Sequence, residues 1–453
     1  MLKAMNLTAR WIFNLLTTVI FMFKLFASVQ SVIESEEDKV VSYKGYSVIR
    51  VVPRTKDSFS YLTNLTYSKD VSYWLEPSSI ARPVDIMISP KKKASVMKGL
   101  FHYGMHPKVQ IEDLERLISR SKNDSDEISA RVATSEEYFF SSYRRLDEIY
   151  NYLEGLQSRN KDTIKIENFG KSWEGRDLKV VKIGANVNSS PPNNSKPIIY
   201  IQGGIHAREW IAPATVVYIA TTLANEALDE TDKRLIESFE WWLVPSANPD
   251  GYEYSHTHNR NWRKTRSKQV GICRGVDPNR NFGFYWGGKG TSGDTCSDIF
   301  RGSKPFSEPE TRAIRDLVLG ASPRVLAFLD MHSYSQVWLY PWGYGEQLPD
   351  DHQDLHQMAK LATTALAKVH GTRYRVGSTT RLLYAAAGGA DDWAKGTANI
   401  KYAYTVELRD DGRYGFVLPS RYIIPTGQET WTALKAFADG LKEELDHPKI
   451  KSA

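Results

Sequence analysis

Cysteine is scarce in this chain. Among 453 residues there are two, Cys273 and Cys296, so a scaffold stapled by many bridges is excluded and at most one intrachain disulfide can form. The pair flanks a Gly-rich loop that one disulfide would close. The count alone does not separate a bridge from two thiols. Long apolar runs are also scarce. The strong candidate is Trp11 to Phe26, preceded by Lys3 and Arg10, followed by Ala27 and Ser28, and interrupted by Lys24. That pattern suits a secretory signal cleaved near Ser31 better than a permanent membrane span, with an uncleaved signal anchor as the alternative. Secretion means an oxidising compartment, which favours the disulfide. A large surplus of one charge is missing too. A net charge of +6, with scattered Lys and Arg, gives no footprint for nucleic acid and leaves a mildly basic solvated surface. There is no internal repeat and no low-complexity tract.

What is present is enough apolar sequence for a large core. At 41% hydrophobic residues, a chain of this length suits two or three domains. Asn64, Asn123, Asn188 and Asn193 each begin an N-x-S/T triplet and are candidate glycan acceptors. After the acidic stretch Glu34 to Asp38, the pattern predicts a strand over Tyr46 to Val52 and a helix over Asp57 to Leu65 capped by Asp57. It continues with strands over Val71 to Leu75 and Val84 to Ile88, a helix over Lys91 to Tyr103 and a short strand at Val109 to Ile111. This order, β-α-β-β-α-β, is that of a small ferredoxin-like α+β sandwich. A helix over Ile111 to Ser121 leads out of it. Ser119 to Arg131 is polar, as an exposed linker would be, and contains the trypsin-type sites Arg120, Lys122 and Arg131.

Beyond the linker, helical patterns cover Tyr143 to Ser158, Ala212 to Ala227, Glu308 to Leu319, Asp354 to Val369 and Glu429 to Leu445. They alternate with apolar strand candidates at Leu178 to Ile183, Ile198 to Gln202, Glu240 to Val244, Val325 to Leu329 and Tyr402 to Val406. Such alternation predicts an α/β domain, a mixed and mostly parallel central sheet flanked by helices.

The strand candidate Ile198 to Gln202 runs into Gly203-Gly204 and then His206-Ala207-Arg208-Glu209. A His and a carboxylate three residues apart can meet at one ion, although the dipeptide pair is common by chance. Zinc accepts both donor types, and a catalytic site takes a third protein ligand and keeps one position open. His332, just past Val325 to Leu329, is the candidate third ligand, because strand C-termini are where α/β domains build sites. Taken alone, each of these residues is as readily a satisfied core group.

Several stretches make the pattern specific. They are Gly204-Ile-His-Ala-Arg-Glu-Trp210, Asn248-Pro-Asp-Gly-Tyr252, Asn261-Trp-Arg-Lys-Thr-Arg266, Gly275-Val-Asp-Pro-Asn-Arg-Asn281, His332-Ser-Tyr-Ser-Gln336, and Glu407-Leu-Arg-Asp410 followed by Gly412-Arg-Tyr-Gly-Phe416. In this order, over about Tyr138 to Leu445, the chain resembles the A/B-type zinc metallocarboxypeptidases, and the preceding domain resembles their inhibitory pro-segment.

The resemblance implies one Zn2+ held by His206, Glu209 and His332, with Asp277 orienting His206 through its second ring nitrogen. It implies Glu407 as general base and Arg263 as the guanidinium that stabilises the oxyanion. Asn279 and Arg280 would hold the substrate's terminal carboxylate, Tyr384 would close over the bound residue, and Arg208 and Tyr334 would serve outer positions. Seven residues past Tyr384, where the family separates apolar from basic specificity, stands Asp391, which implies release of C-terminal Lys or Arg. Asp392 beside it suits a structural role.

The implied organisation is a signal over 1–31, an inhibitory pro-domain over 32–118, an activation linker over 119–131 and a catalytic domain over 132–453. The expected product is a secreted zymogen that acts on peptide or protein C-termini after cleavage by a trypsin-like protease, with no nucleic-acid partner and no membrane span in the mature form. The competing readings are a catalytically inactive relative that binds peptides, and a glycosylated surface protein kept on an uncleaved anchor.

Overall fold

The computed structural model describes residues 39–447 together with Met22, except for stretches at 66–69, 133, 186, 189–195, 226–229, 270 and 272. Apart from Met22, the expected signal lies outside the described residues, as does Asn193. No helix among the described residues is long and apolar enough to cross a membrane.

The first unit is an antiparallel sheet of β1 (Ser47–Val51), β2 (Val71–Leu75), β3 (Val84–Ile88) and β4 (Lys108–Ile111), in the order β2-β3-β1-β4. The strands β1, β2 and β3 are buried on both faces, whereas β4, at the sheet edge, is largely exposed. Ile49, Val51, Tyr73, Ile86 and Ile88 pack under the unit's own helices with Leu62, Val96 and Leu100. Val48, Trp74 and Met87, on the alternate face, pack with Tyr334, Phe416 and Val417 of the following domain. The helix Lys56–Thr63 is capped by Thr55, whose hydroxyl accepts from Ser58 N; the expected cap Asp57 instead sits in the first turn, where the helix dipole favours a carboxylate.

The expected helix over Ile111 to Ser121 is longer than its pattern indicates: residues 119–129, in the stretch expected as an exposed linker, are the second half of the helix Leu114–Ser129, started by Asp113, whose carboxylate accepts from Arg116 N. The stretch has no Gly or Pro, and Arg421 pairs with Asp124 at 3.1 Å to hold the helix on the larger domain. The chain leaves helical geometry only after the cap Ala130.

The larger domain is built on eight strands: β5 (Ile164–Lys171), β6 (Asp177–Ile183), β7 (Ile198–Gly203), β8 (Glu240–Val244), β9 (Val325–Ser333), β10 (Val337–Tyr340), β11 (Arg375–Ser378) and β12 (Tyr402–Leu408). Their order is β11-β10-β12-β9-β7-β8-β6-β5, and the pairs β12/β9, β9/β7 and β7/β8 at its centre are parallel. One face is closed by Leu146–Arg159, Ile211–Ala224, His352–His370 and Ile423–Asp446, which bury Ile199, Ile201, Leu329 and Val406. The other is closed by Pro309–Gly320 and Ala390–Gly396 over Tyr200, Phe328 and Ala403. At the end of β7 the helix Ile211–Ala224 comes so close that a Cβ on Gly203 would lie 2.9 Å from the Ala212 main chain. Gly204, at φ +68, then turns the chain sharply into residues 205–209.

One buried group is poorly provided for. Glu310, fully buried in the first turn of Pro309–Gly320, accepts from Trp173 N at 3.0 Å through Oε1, while Oε2 has no hydrogen-bond partner among the described residues. Burial pushes its carboxyl up to about 8, and nearby Glu308 and Asp250 act in the same direction. A carboxyl whose folded pKa exceeds its unfolded value costs stability as pH rises from the ordinary carboxylate range through 8. Glu310→Gln is therefore expected to stabilise the protein at pH 8–9 by about 1–3 kcal/mol, the scale of an unsatisfied buried polar group, and to change little at pH 4. Melting curves across that range check this; an equal shift at both ends would contradict it.

Candidate metal centre

Four strands at the sheet centre run parallel, and the candidate ligands sit at the C-terminal ends of two neighbours among them, β7 and β9. His206 and Glu209 lie in the turn after β7, and His332 lies inside β9, which runs four residues further than the apolar pattern indicates. The three side chains are buried and their donor atoms lie within 4.8 Å of one another. His206 Nδ1 is 2.8 Å from Glu209 Oε1, and His332 Nδ1 is 3.0 Å from Glu209 Oε2 and 3.1 Å from His206 Nδ1.

His206 Nε2 faces Asp277 Oδ1 at 3.1 Å. A carboxylate there favours the proton on Nε2, which turns Nδ1 toward a second carboxylate, and a proton or a metal cation between the two relieves their repulsion. The donor set, two imidazoles and one carboxylate, is one that zinc accepts. Burial alone would raise the Glu209 pKa, but the facing histidines hold it below the usual carboxylate range.

Asp277 does more than orient His206. Its Oδ2 accepts from Arg263 Nε and Nη2 at 3.1 and 2.9 Å, and its Oδ1 also accepts from Asn279 N at 3.0 Å. One carboxylate thus fixes a metal ligand, the Arg263 guanidinium and the turn leading to Arg280. Arg263 Nη1 remains on the metal side, 3.9 Å from Glu209 Oε1. Asp330, which the sequence reading overlooked, lies 2.9 Å from His332 Nε2. The signal was available, because positions 330 and 332 share one face of a strand.

Glu407 lies within β12 and pairs in register with His332 of β9. It lines a cleft with His206, Glu209, Arg263, Tyr334, Tyr384 and Phe416. Burial pushes its carboxyl up to about 8, with His332 and Arg263 opposing and Glu209 and Asp330 reinforcing; a divalent cation alongside would act downward. Arg280 uses Nε on Gly290 O and Nη1 on Asn279 O, both at 2.8 Å, so Nη2 is the edge left to meet a ligand. Gly290 lies inside the loop closed by the Cys273–Cys296 disulfide. Asn279 is committed inward: Oδ1 accepts from Ala390 N at 2.8 Å and Nδ2 faces His332 Nε2 at 3.2 Å.

Asp391 is buried in the first turn of Ala390–Gly396, and Thr379 Oγ1 donates to it at 3.4 Å. Burial raises its pKa, and the Asp330 charge adds to the shift. Asp392 has a different task, accepting from Gly343 N and Tyr344 N at 2.8–3.0 Å.

The small domain fills the cleft from outside. Trp74 and Leu75 line it alongside the ligands. The Trp74 ring packs on Phe416 at 4.9 Å and on Tyr334 at 6.4 Å, while Asp85, held by Arg50, accepts from Tyr334 Oη at 2.6 Å. Gly415, at φ +55, leaves room for this; a Cβ there would lie 2.7 Å from the indole. Arg208 and Tyr334 are therefore beneath the small domain, with the Arg208 guanidinium 4.2 Å over the Phe416 ring.

Comparison with known proteins agrees with this geometry. Residues 149–433 match the zinc carboxypeptidase model and residues 49–121 the carboxypeptidase activation peptide model. Carboxypeptidase B of Astacus astacus is 47% identical over 306 residues, covering 67% of this chain and 98% of that protein. Carboxypeptidase A2 of Mus musculus is 35% identical over 411 residues, covering 90% and 95%. Among solved structures, thrombin activatable fibrinolysis inhibitor superimposes with a TM-score of 0.80 at 31% identity, covering 89% of this chain and 100% of that one. Carboxypeptidase A from Helicoverpa armigera gives a TM-score of 0.81 at 28% identity, covering 89% and 99%.

Because Asp277 supports both His206 and Arg263, Asp277→Ala is expected to lower zinc affinity about 10–100-fold. Competition against a chromogenic chelator measures this, and unchanged affinity would remove the proposed support of His206.

Proposed function

The chain belongs to the zinc carboxypeptidase family and carries that family's activation peptide, and we propose that it is a secreted precursor whose activated form releases single C-terminal residues, Lys or Arg in preference. The observation that carries this reading is the meeting of His206, Glu209 and His332 at one point, beside a cleft lined by Glu407 and Arg263, with the carboxylate Asp391 buried in the first turn of Ala390–Gly396.

Zinc bound there supplies Lewis acidity, polarising the scissile carbonyl and acidifying water. Glu407 takes the proton from the attacking water and later passes it to the leaving amine. Arg263, held on one edge by Asp277, turns Nη1 toward the carbonyl oxygen as negative charge develops on it. Arg280 receives the free terminal carboxylate on its remaining edge, which restricts attack to the last peptide bond. Asn279 contributes by tying the His332 ring to the Asp391 helix. Tyr384 closes the cleft over the bound residue, and Arg208 and Tyr334 meet residues further upstream.

Asp391 sets the preference. A carboxylate confined without a counter-charge is costly to bury, and a Lys or Arg side chain relieves that cost. The relative named carboxypeptidase B supports this choice.

Latency follows from Trp74 and Leu75 occupying the cleft. Of the three candidate activation sites, Arg120 and Lys122 are inside a helix, whereas Arg131 lies just past it with its side chain 80% exposed. A protease needs an exposed, pliable segment, so cleavage after Arg131 is favoured.

Glu407→Gln should keep its zinc and lose about 10²–10⁴-fold or more in turnover; metal analysis beside kinetics checks both, and undiminished turnover would refute the role. Trypsin-activated protein, assayed on peptides differing only in their last residue, should favour Arg and Lys over Phe and Leu. Arg280→Ala should erase the distinction between free and amidated C-termini. A preference for Phe or Leu would end the assignment of Asp391.

A further inference from the structure

His332 has two ring nitrogens, and the metal accounts for one. Nδ1 faces Glu209 and His206, so the ring proton resides on Nε2 when Nδ1 holds an ion. That N–H is buried and needs an acceptor. Asn279 stands 3.2 Å away but presents the wrong group. Its Oδ1 already accepts from Ala390 N at 2.8 Å, which fixes the amide with Nδ2 toward the ring. Nδ2 is a donor, so two N–H groups confront each other there. The acceptor that relieves them is Asp330, whose Oδ2 lies 2.9 Å from Nε2, to the side of the line to Asn279.

Asp330 has no competing task. It is fully buried, and neither of its oxygens accepts a hydrogen bond from any other described residue. In the sheet it stands in register with Gln202 of β7 and Thr405 of β12, and neither of these polar neighbours donates to it. A carboxylate in such a place is costly unless a cation or a strong donor compensates it. Coordination of Nδ1 to a cation polarises the N–H on Nε2, so the donor is strongest when the ion is in place. The strand supplies the alignment, since residues 330 and 332 project from one face of β9.

We propose that Asp330 is a positioning residue of the metal centre, holding His332 through Nε2 as Asp277 holds His206. Each imidazole ligand then has its own buried carboxylate. Asp330 lies on the far side of the His332 ring from the ion. The two supports differ in one respect. Asp277 also grips Arg263 and Asn279, whereas Asp330 serves His332 alone among the described residues. The proposal rests on the zinc site at His206, Glu209 and His332, whichever terminal residue the enzyme releases.

The test uses the full chain with zinc and compares wild type, Asp330→Asn, Asp330→Ala and Asp277→Asn. Competition against a chromogenic chelator should show zinc affinity reduced about 10–100-fold in Asp330→Ala. The loss should be smaller in Asp330→Asn, which keeps the shape and one acceptor. Unchanged affinity in both would overturn the proposal. A purely structural residue could also weaken zinc, so the second readout is the ring proton itself. With isotope-labelled histidine, nuclear magnetic resonance of the zinc-loaded wild type should show two zinc-dependent, far-downfield ring N–H signals, one for each imidazole ligand. Asp277→Asn should move one of them upfield and Asp330→Asn the other. Asp330→Asn that leaves both signals in place, or moves the one that Asp277→Asn moves, would refute the role.

If neither Asp330 variant folds, the wild-type spectrum decides: two such signals support the pairing of both imidazoles with carboxylates, and a single signal overturns it. Wild type that binds no zinc would sink the metal assignment and this proposal together, an outcome distinct from variants that match a zinc-binding wild type.

Discussion

A histidine nitrogen and a carboxylate 2.8 Å apart in a buried site need a proton or a metal cation between them, and that constraint organises the metal centre. His206 Nδ1 and the Glu209 carboxylate are held in this relation, with His332 Nδ1 beside both. Asp277 sustains it from behind by keeping the His206 proton on Nε2. The same carboxylate grips Arg263, so the geometry of the metal site and that of the proposed oxyanion donor cannot drift independently. A low-dielectric pocket makes such preorganised charges effective, because no solvent must reorganise when charge develops.

Strand geometry delivers the remaining groups. In a parallel pair, residues in register keep a fixed lateral spacing, and Glu407 of β12 stands in register with His332 of β9. The proposed base is therefore positioned by the sheet ladder and not by a loop, which suits a group that must meet water within hydrogen-bond reach. Gly203 and Gly204 complete the arrangement by letting Ile211–Ala224 close against β7, so the ligand turn begins where the sheet ends.

Much of this was legible in the sequence, and the exceptions have physical causes. The ferredoxin-like order, the mixed and mostly parallel sheet, the ligand triad and the cleft positions of Glu407, Arg263 and Tyr384 all followed from pattern and resemblance. Element ends did not. β9 and β12 extend past their apolar cores because their final residues are polar yet buried by one another, so hydropathy stops short of His332 and Glu407. The helix expected to end at Ser121 runs on to Ser129, because a polar stretch without Gly or Pro keeps its helix through propensity and the Asp124–Arg421 contact. The strands β5, β10 and β11 carry weak signals, two of them being four residues long and β5 lying at the sheet edge. The inward commitment of Asn279 depends on chain segments distant in sequence, which no local pattern encodes.

The activation peptide exploits features that substrate would use. The alternate face of its sheet carries Val48, Trp74 and Met87 beside Arg50 and Asp85, so the domain cannot leave those apolar groups exposed to water without cost. The partner surface it covers is Tyr334, Phe416 and Val417, the wall of the cleft itself. Asp85 adds direction: it is fully buried, paired with Arg50, and meets the Tyr334 hydroxyl. A buried carboxylate needs those partners, so sliding of the small domain along the wall would break them before it relieved the cleft. The proposed cut after Arg131 lies beyond the helix Leu114–Ser129, so it would remove the tether without touching this interface. Release would then depend on the interface's own strength, to which the Arg421–Asp124 contact and Leu114 contribute.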